Sequence, residues 1–195
     1  MLKVLLMKQR QSLLYLVAMM NYNLYKQYFQ AMMMRIWGSR MPGSDSAQAP
    51  AVAAAGDAST RTLLRMFDEI CKRQAALVSA WMRVGYCQGN FNSDNCAAGG
   101  FTLDYGPFGF CELFDLRFQP WTGGGEHFCF FNQPSAAEAN YQMFWKALRP
   151  LLADNTTAEA ELDAVRDGFG EAMADAINAM WASKLGLSTP APELA

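Results

Sequence analysis

The feature that most limits how this chain can fold is a change of pattern between residues 86 and about 131. On either side, apolar residues recur at the three- and four-residue spacing of helices. Within it, short β-prone pieces alternate with loops rich in Gly, Asn, Asp and Phe. Such a segment interrupts the helices and must lie on them as an island. Because functional residues concentrate on loops held by a rigid scaffold, the island is the first place to look for a site.

Helical spacing dominates the rest of the chain. A long helix is predicted from Thr60, which is a good N-cap residue, to a stop at Gly85. Three further helices are predicted, over 134–148, 157–169 and 171–184. The sequence therefore predicts an α+β fold that is mainly helical.

Composition along the chain predicts four parts. Residues 1–37 are expected to form one or two amphipathic helices. Residues 38–60 are mostly Ala, Gly, Pro and Ser, and they cannot bury enough surface to offset the entropy of ordering, so a flexible linker or insertion is expected. Residues 61–187 are expected to form the core, and 188–195 a tail.

Charge and residue usage exclude several classes of function. With a net charge of −2, the chain offers no basic field for a nucleic acid backbone. Lys8 and Arg10 interrupt the apolar N-terminus, so neither a membrane span nor a signal peptide is expected. The five cysteines show no C-x-x-C spacing, which favours free thiols. The single histidine, His127, excludes multi-histidine metal sites and is expected on a surface loop.

Two acids and an amide cluster around a tight turn in the island. Two short strand-like pieces are predicted, 96–98 and 101–103. The pair Asp94 and Asn95 precedes the first piece, and Asp104 follows the second. If the pieces pair as a hairpin, Asn95 and Asp104 converge at its open end.

One amide oxygen and one carboxylate suit Mg²⁺, which keeps waters and takes further ligands from phosphates. Asn95 and Asp104 are therefore candidate ligands, and Asp94 beside them could accept a proton or orient a nucleophile. The alternative is that Asp94 and Asn95 serve only as turn or capping residues, which are common roles for Asp and Asn.

These residues match the parts of a kinase-type phosphate site: an acid, an Asn ligand, and an Asp-aromatic-Gly ligand. Asp104, Tyr105 and Gly106 take the last place. Phe108 and Phe110, with Tyr105, are expected to pack this loop onto the helical lobe. A conventional kinase separates its catalytic Asp and Asn by four residues, whereas here they are adjacent, which argues against that class.

Two longer strings are more specific. The chain reads WMRVGYCQGNFNSDN and, shortly after, GFTLDYGPFGF. Together they resemble the selenoprotein O family, which carries Val-Gly-Phe, then His-Gly-Val-Met-Asn-Thr-Asp-Asn, then Leu-Thr-Ile-Asp-Tyr-Gly-Pro-Phe-Gly-Phe. The spacing from Asn95 to Asp104 also matches. The resemblance covers roughly residues 61–187, and the N-terminal helices more weakly.

The resemblance implies a protein-kinase-like C-lobe whose small β-hairpin bears the metal site. It also implies protein AMPylation, in which AMP passes from ATP to Ser, Thr or Tyr hydroxyls of proteins with Mg²⁺. Carried over by motif, Asp94 would be the catalytic proton acceptor. Asn95 and Asp104 would bind Mg²⁺, and Asp104 would also lie at the nucleotide. A mitochondrial or cytoplasmic location is implied, although no transit peptide is visible.

The chain departs from the family pattern in several respects. The motif histidine is Gln88 here, and the strand after the Asp-Asn pair is the smaller, less β-prone run CAAG. Family members are much longer, and the glycines and lysine of their N-lobe have no counterpart. Two functions are therefore considered. The first is an adenylyltransferase, or a portion of one whose partner is the missing N-lobe. The second is a truncated non-catalytic remnant. The remnant would bind metal, or partner proteins through the Met-rich N-terminal helix.

Overall fold

The computed structural model describes residues 58–187, which form four α-helices and a two-stranded antiparallel sheet. The helices are α1 (Ala58–Val84), α2 (Gln133–Leu148), α3 (Thr156–Asp167) and α4 (Phe169–Leu185), and the strands are β1 (Tyr86–Cys87) and β2 (Gly109–Phe110). Short 3₁₀ helices cover Ser93–Asn95, Thr122–Phe128, Phe130–Asn132 and Arg149–Leu152. The prediction of a mainly helical α+β fold is confirmed. The segments predicted over 1–37 and 188–195, and most of 38–60, lie outside the described residues.

Helix α1 is the central element and packs against the other three helices, most extensively against α4. Its buried face repeats at helical spacing through Phe67, Ile70, Val78 and Trp81, as the sequence predicts. It ends at Val84, and Gly85 follows with φ +76°, a conformation that only glycine adopts without strain.

The start of α1 differs from the prediction. The helix already includes Ala58, so Thr60 lies inside it and is not its cap. Its outer surface carries two i,i+4 ion pairs, with N···O distances of 2.8 Å for Lys72–Asp68 and 2.7 Å for Arg73–Glu69. Such i,i+4 pairs on a helix surface contribute only about 0.3–0.5 kcal/mol each, so α1 depends on its buried face.

A stack of three aromatic rings joins three helices at the centre of the core. Phe67 of α1 stacks on Tyr141 of α2 with ring centroids 4.3 Å apart, and Tyr141 stacks on Phe169 of α4 at 4.7 Å. The Tyr141 hydroxyl donates to the Phe67 carbonyl at 2.8 Å, so burying this polar group leaves no unpaired donor. The described helices include none that is long and apolar enough to cross a bilayer.

The boundary between α3 and α4 falls at Gly168, although the sequence predicts that the earlier helix runs through 169. Gly168 ends α3 by donating its N–H to the Ala164 carbonyl at 3.1 Å, and its own carbonyl accepts from Ala172 at 3.1 Å as α4 begins. Phe169 therefore starts α4, where its ring enters the buried stack. Burial of this ring decides the boundary, which helical periodicity alone does not resolve.

The observed strands are not the predicted ones, and they flank the predicted hairpin in the chain. Strands β1 and β2 pair with Tyr86 opposite Phe110 and Cys87 opposite Gly109. The pieces 96–98 and 101–103 are not strands and share only one bridge, between Cys96 and Thr102. The correction has a physical cause, because groups from this segment bond to α1 instead of across a ladder. Gln74 of α1 donates to the Ala97 carbonyl, and Trp81 Nε1 donates to Thr102 Oγ1 at 2.9 Å.

The packing predicts a large difference between two leucine truncations. Leu162→Ala should lower the free energy of unfolding by about 2–5 kcal/mol, because its side chain on α3 is 0% exposed and its loss leaves a cavity. Leu113→Ala, at a side chain that is 83% exposed, should change it by no more than about 0.5 kcal/mol. Urea unfolding of both variants measures the difference. Equal losses would contradict the assigned core.

Candidate active site

The predicted site residues lie on one loop that is closed twice. This site loop, residues 88–108, begins and ends at the paired strands β1 and β2, and the Cys96–Thr102 bridge closes it again farther along. Asn95 comes one residue before that bridge, and Asp104 comes two residues after it. The structure thus brings the two predicted ligands to the same end of the bridge, although the strands expected to carry them are absent.

The first arm of the site loop, residues 88–95, is tied to helix α2. Asn140 of α2 donates its amide N–H to the Phe91 carbonyl and accepts from the Ser93 hydroxyl, both at 2.9 Å. These bonds hold the 3₁₀ turn on which Asp94 is exposed to solvent. The Asn95 amide group donates to the Asn90 carbonyl at 2.8 Å, which leaves its amide oxygen as the atom that can meet a cation.

The second arm, residues 102–108, is held through Asp104. Its main-chain carbonyl accepts from the Gln88 side chain at 2.7 Å. Its carboxylate lies over Gly106, where an added Cβ would come within 3.0 Å of Oδ2. A larger residue at 106 would crowd the carboxylate, so the glycine of the Asp-Tyr-Gly sequence leaves room for it.

The two arms touch at Gly89. Its φ is +53°, and a Cβ built there would lie 1.9 Å from the Pro107 carbonyl oxygen, far inside any real contact. The main chain before Asp94 therefore packs directly on the main chain after Asp104. This contact fixes how the two halves of the site face each other.

The stretch of sequence that contains the site carries acidic residues and no basic ones. Residues 84–116 contain four acids, Asp94, Asp104, Glu112 and Asp115, and neither Lys, Arg nor His. Across residues 58–187 there is no group of three or more His, Cys, Asp or Glu side chains that could hold a metal ion. A cation at Asn95 and Asp104 would have two protein oxygens, with water and phosphate completing its shell. That donor set fits Mg²⁺, which is commonly held by few protein ligands together with substrate phosphates.

Buried titratable groups near the site remain protonated. Burial raises the pKa of the Cys87 thiol to about 11 and that of the Cys96 thiol to about 12. Burial also raises the pKa of the Tyr86 phenol to about 12. At neutral pH these thiols and the phenol therefore stay protonated, so they are neither strong nucleophiles nor proton acceptors.

The aromatic residues of the second arm and of β2 are arranged differently from the prediction. Phe108 and Phe110 contact the Tyr86 ring, with centroids 5.6 and 5.5 Å apart, but both remain exposed. Tyr105 is 66% exposed, so the prediction that it packs the loop onto the helical lobe is wrong. Side-chain amides perform that attachment, because they can pair with the polar main chain of an irregular loop.

Sequence reasoning missed most of these amide contacts. Gln74, Gln133 and Asn140 were assigned no role, yet each hydrogen-bonds to the main chain of the island. A signal existed for Gln74, which lies four residues from both Ile70 and Val78 on the apolar face of α1. A polar residue in such a stripe indicates a buried partner.

An acid, an amide and an acid-aromatic-glycine turn are residue types that also occur at kinase-type phosphate sites. A family model described as protein adenylyltransferase SelO matches residues 5–194, and the chain belongs to this family. The resemblance noted in the sequence is thereby confirmed.

Three relatives carry the name protein nucleotidyltransferase YdiU. The protein of Nitrosospira multiformis is 40% identical over 127 residues, which are 64% of this chain and 22% of that protein. The protein of Xanthomonas euvesicatoria is 38% identical over 122 residues, 62% of this chain and 23% of that protein. The protein of Tolumonas auensis is 36% identical over 129 residues, 65% of this chain and 24% of that protein. The matched region is thus less than a quarter of each relative's length.

The Gly89 contact predicts a strong effect for one added methyl group. Gly89→Ala should destabilise the chain by about 2 kcal/mol or more, because the new Cβ would meet the Pro107 carbonyl and the positive φ is strained for alanine. Gly170→Ala is the matched control, since a Cβ there meets nothing within 4 Å and alanine favours the helix. Thermal unfolding compares them, and equal stability of the two variants would refute the contact.

Thiol burial predicts how stability depends on pH. Burial raises the pKa of Cys71 and Cys87 from 9.0 to about 11, so below pH 9 their stabilising effect is complete. Above pH 9 the unfolded chain loses these protons first, so the free energy of unfolding should fall as pH rises toward 11. Urea unfolding from pH 7 to pH 11 measures this fall. In a Cys71→Ala/Cys87→Ala double variant the free energy of unfolding should fall less steeply with pH. A fall as steep as in the unaltered chain would show that these thiols do not cause it.

Proposed function

We propose that this chain carries the metal-binding and proton-accepting part of a protein adenylyltransferase. The observation that carries the proposal is the closed site loop, which presents Asp94 and Asn95 on one arm and Asp104 on the other at the same end of the Cys96–Thr102 bridge. Membership of the adenylyltransferase family supports the reaction class. The proposed substrates are ATP and a Ser, Thr or Tyr hydroxyl of another protein.

In the proposed reaction the hydroxyl oxygen forms a bond to the α-phosphorus of ATP. The bond from that phosphorus to its bridging oxygen breaks, and pyrophosphate leaves. Asp94 accepts the hydroxyl proton. Its exposed position suits this role, because the hydroxyl must arrive on the surface of a second protein, while the bonds from Asn140 keep the turn that carries Asp94 in place.

Asn95, through its amide oxygen, and Asp104, through its carboxylate, would hold Mg²⁺ and with it the nucleotide phosphates. The ion, when bound, would neutralise phosphate charge in a stretch that has four acids and no basic residue. The two protein oxygens belong to separate arms of the site loop, so the close packing of Gly89 on Pro107 would keep them in register.

A second candidate function is a non-catalytic remnant that binds metal and nucleotide without turnover. The observation favouring it is the composition of residues 84–116, which contain no Lys, Arg or His, since phosphoryl-transfer enzymes normally supply cationic side chains for the transition state.

Calorimetry of ATP binding with and without Mg²⁺ separates the roles of the two acids. Asp104→Ala should weaken Mg²⁺-dependent ATP binding by about tenfold or more, because it removes a charged metal ligand. Asp94→Ala should keep that binding within about threefold and lower AMP transfer by about 10²- to 10⁴-fold, since it removes only the proton acceptor.

Asp175→Ala, which removes an exposed acid on α4, is the control and should change neither measurement. ATP binding that is equally tight after Asp104→Ala would refute the metal site. Mg²⁺-dependent binding by the unaltered chain with no transfer to any protein tested would favour the remnant.

A further inference from the structure

We propose that Tyr86 and Gln88 act as a positioning pair that holds the main chain of Asp104, with the Tyr86 hydroxyl fixing the orientation of the Gln88 amide. The inference deepens the proposed function and rests on it for the role of Asp104 as a ligand. Neither residue belongs to the set predicted to bind metal or accept the proton.

The chemistry of the Asp104 carbonyl determines how the amide must lie. A carbonyl oxygen can only accept, so the Gln88 atom that faces it at 2.7 Å must be the donating Nε2. The amide oxygen Oε1 then faces the Tyr86 hydroxyl, which donates to it. A flipped amide would set two oxygens against each other at Asp104. The Asp104 carbonyl therefore selects this orientation, and the Tyr86 hydroxyl holds the amide in it by donating to Oε1.

Helix α2 fixes the main chain from which the Gln88 side chain extends. The buried Gln133 accepts from the Gln88 main-chain N–H at 3.0 Å and donates to the Tyr86 carbonyl at 3.0 Å. Gln88 itself is only 2% exposed, so water does not compete for its bonds. Across residues 58–187 every buried side-chain nitrogen and oxygen has a partner. The path from α2 to the Asp104 carbonyl thus consists of hydrogen bonds that are buried at Gln133 and partly buried at Asp104.

Holding this carbonyl also directs the carboxylate of the same residue. The carbonyl belongs to the peptide unit between Asp104 and Tyr105, so its hydrogen bond restricts rotation about the Asp104 main chain. That rotation sets where the side chain points, over the space that Gly106 leaves open. Without the bond, the Asp104 carboxylate would sample more orientations and bind a cation less tightly.

These two positions are among those where this chain departs from the motif quoted above, with Tyr86 in place of Phe and Gln88 in place of His. A glutamine side chain has three rotatable torsions and an amide that can flip, whereas an imidazole is a rigid ring. The longer, more mobile group needs a second partner to be fixed in one state. The hydroxyl that tyrosine adds to the Phe position supplies that partner.

Hydrogen–deuterium exchange of the metal-free chain tests the pair without reference to activity. In Gln88→Met, amides of residues 102–106 should exchange about fivefold to tenfold faster, the effect of losing about one hydrogen bond. Tyr86→Phe should act in the same direction. The double variant should be no faster than Gln88→Met alone, because the hydroxyl acts only through the amide. Gln88→His, which restores a ring N–H donor, should return exchange to within about twofold of the unaltered chain.

Tyr141→Phe is the matched control, because it removes a different buried hydroxyl that bonds to the Phe67 carbonyl at 2.8 Å. It should lower the thermal midpoint and leave exchange at 102–106 unchanged. Unchanged exchange in Gln88→Met, or additive effects of the two single variants, would overturn the positioning pair.

Titration with Mg²⁺ and ATP separates this inference from the proposed function. If the variants with faster exchange at 102–106 also bind Mg²⁺ and ATP more weakly, the result supports both the positioning pair and the proposed function. The expected exchange pattern in a chain that binds no Mg²⁺ and ATP supports the positioning pair and overturns the proposed function. Full affinity in Gln88→Met overturns the link between the pair and the metal site.

Discussion

The polar main chain of the island needs hydrogen-bond partners, and most of this structure follows from how they are supplied. Two strands of two residues satisfy few of its N–H and C=O groups. Side-chain amides from the helices supply others. Gln133 and Asn140 lie seven residues apart on α2, two helical turns, so they share one face. The first holds β1 and the second holds the turn that carries Asp94, so one helix sets both ends of the first arm.

The hydrophobic core and the site are joined through the same helix. Tyr141, next to Asn140 in the chain, enters the ring stack between Phe67 and Phe169. Core packing therefore fixes the rotation of α2 about its axis. That rotation places the Gln133 and Asn140 side chains against the main chain of the island. Amides suit this task because they do not titrate, so the support around Asp94 and Asp104 stays neutral.

What the sequence predicted well depends on local interactions. The end of α1 at Gly85 follows from glycine's conformational freedom, and the Lys72–Asp68 and Arg73–Glu69 pairs follow from helical spacing alone. The hairpin was misplaced because its β-prone pieces were judged without their neighbours. Gln74 and Trp81, about 20 residues earlier, bond to Ala97 and Thr102, and no periodicity within 96–103 reveals them. The Asp94, Asn95 and Asp104 set was predicted from motif and spacing, and the structure places all three residues on the site loop.

By itself, the sequence determined the helical class, the position of the island and the chemical identity of its acids and amide, since these depend on periodicity, glycine placement and side-chain type. Only the tertiary structure decided that Gly89 meets Pro107, that Gln88 reaches the Asp104 carbonyl, and that Tyr105 faces solvent. Each of these is a contact or an exposure set by elements distant in the chain. Such relations arise when helices pack and bring their amides to one loop, and no local pattern encodes that arrangement.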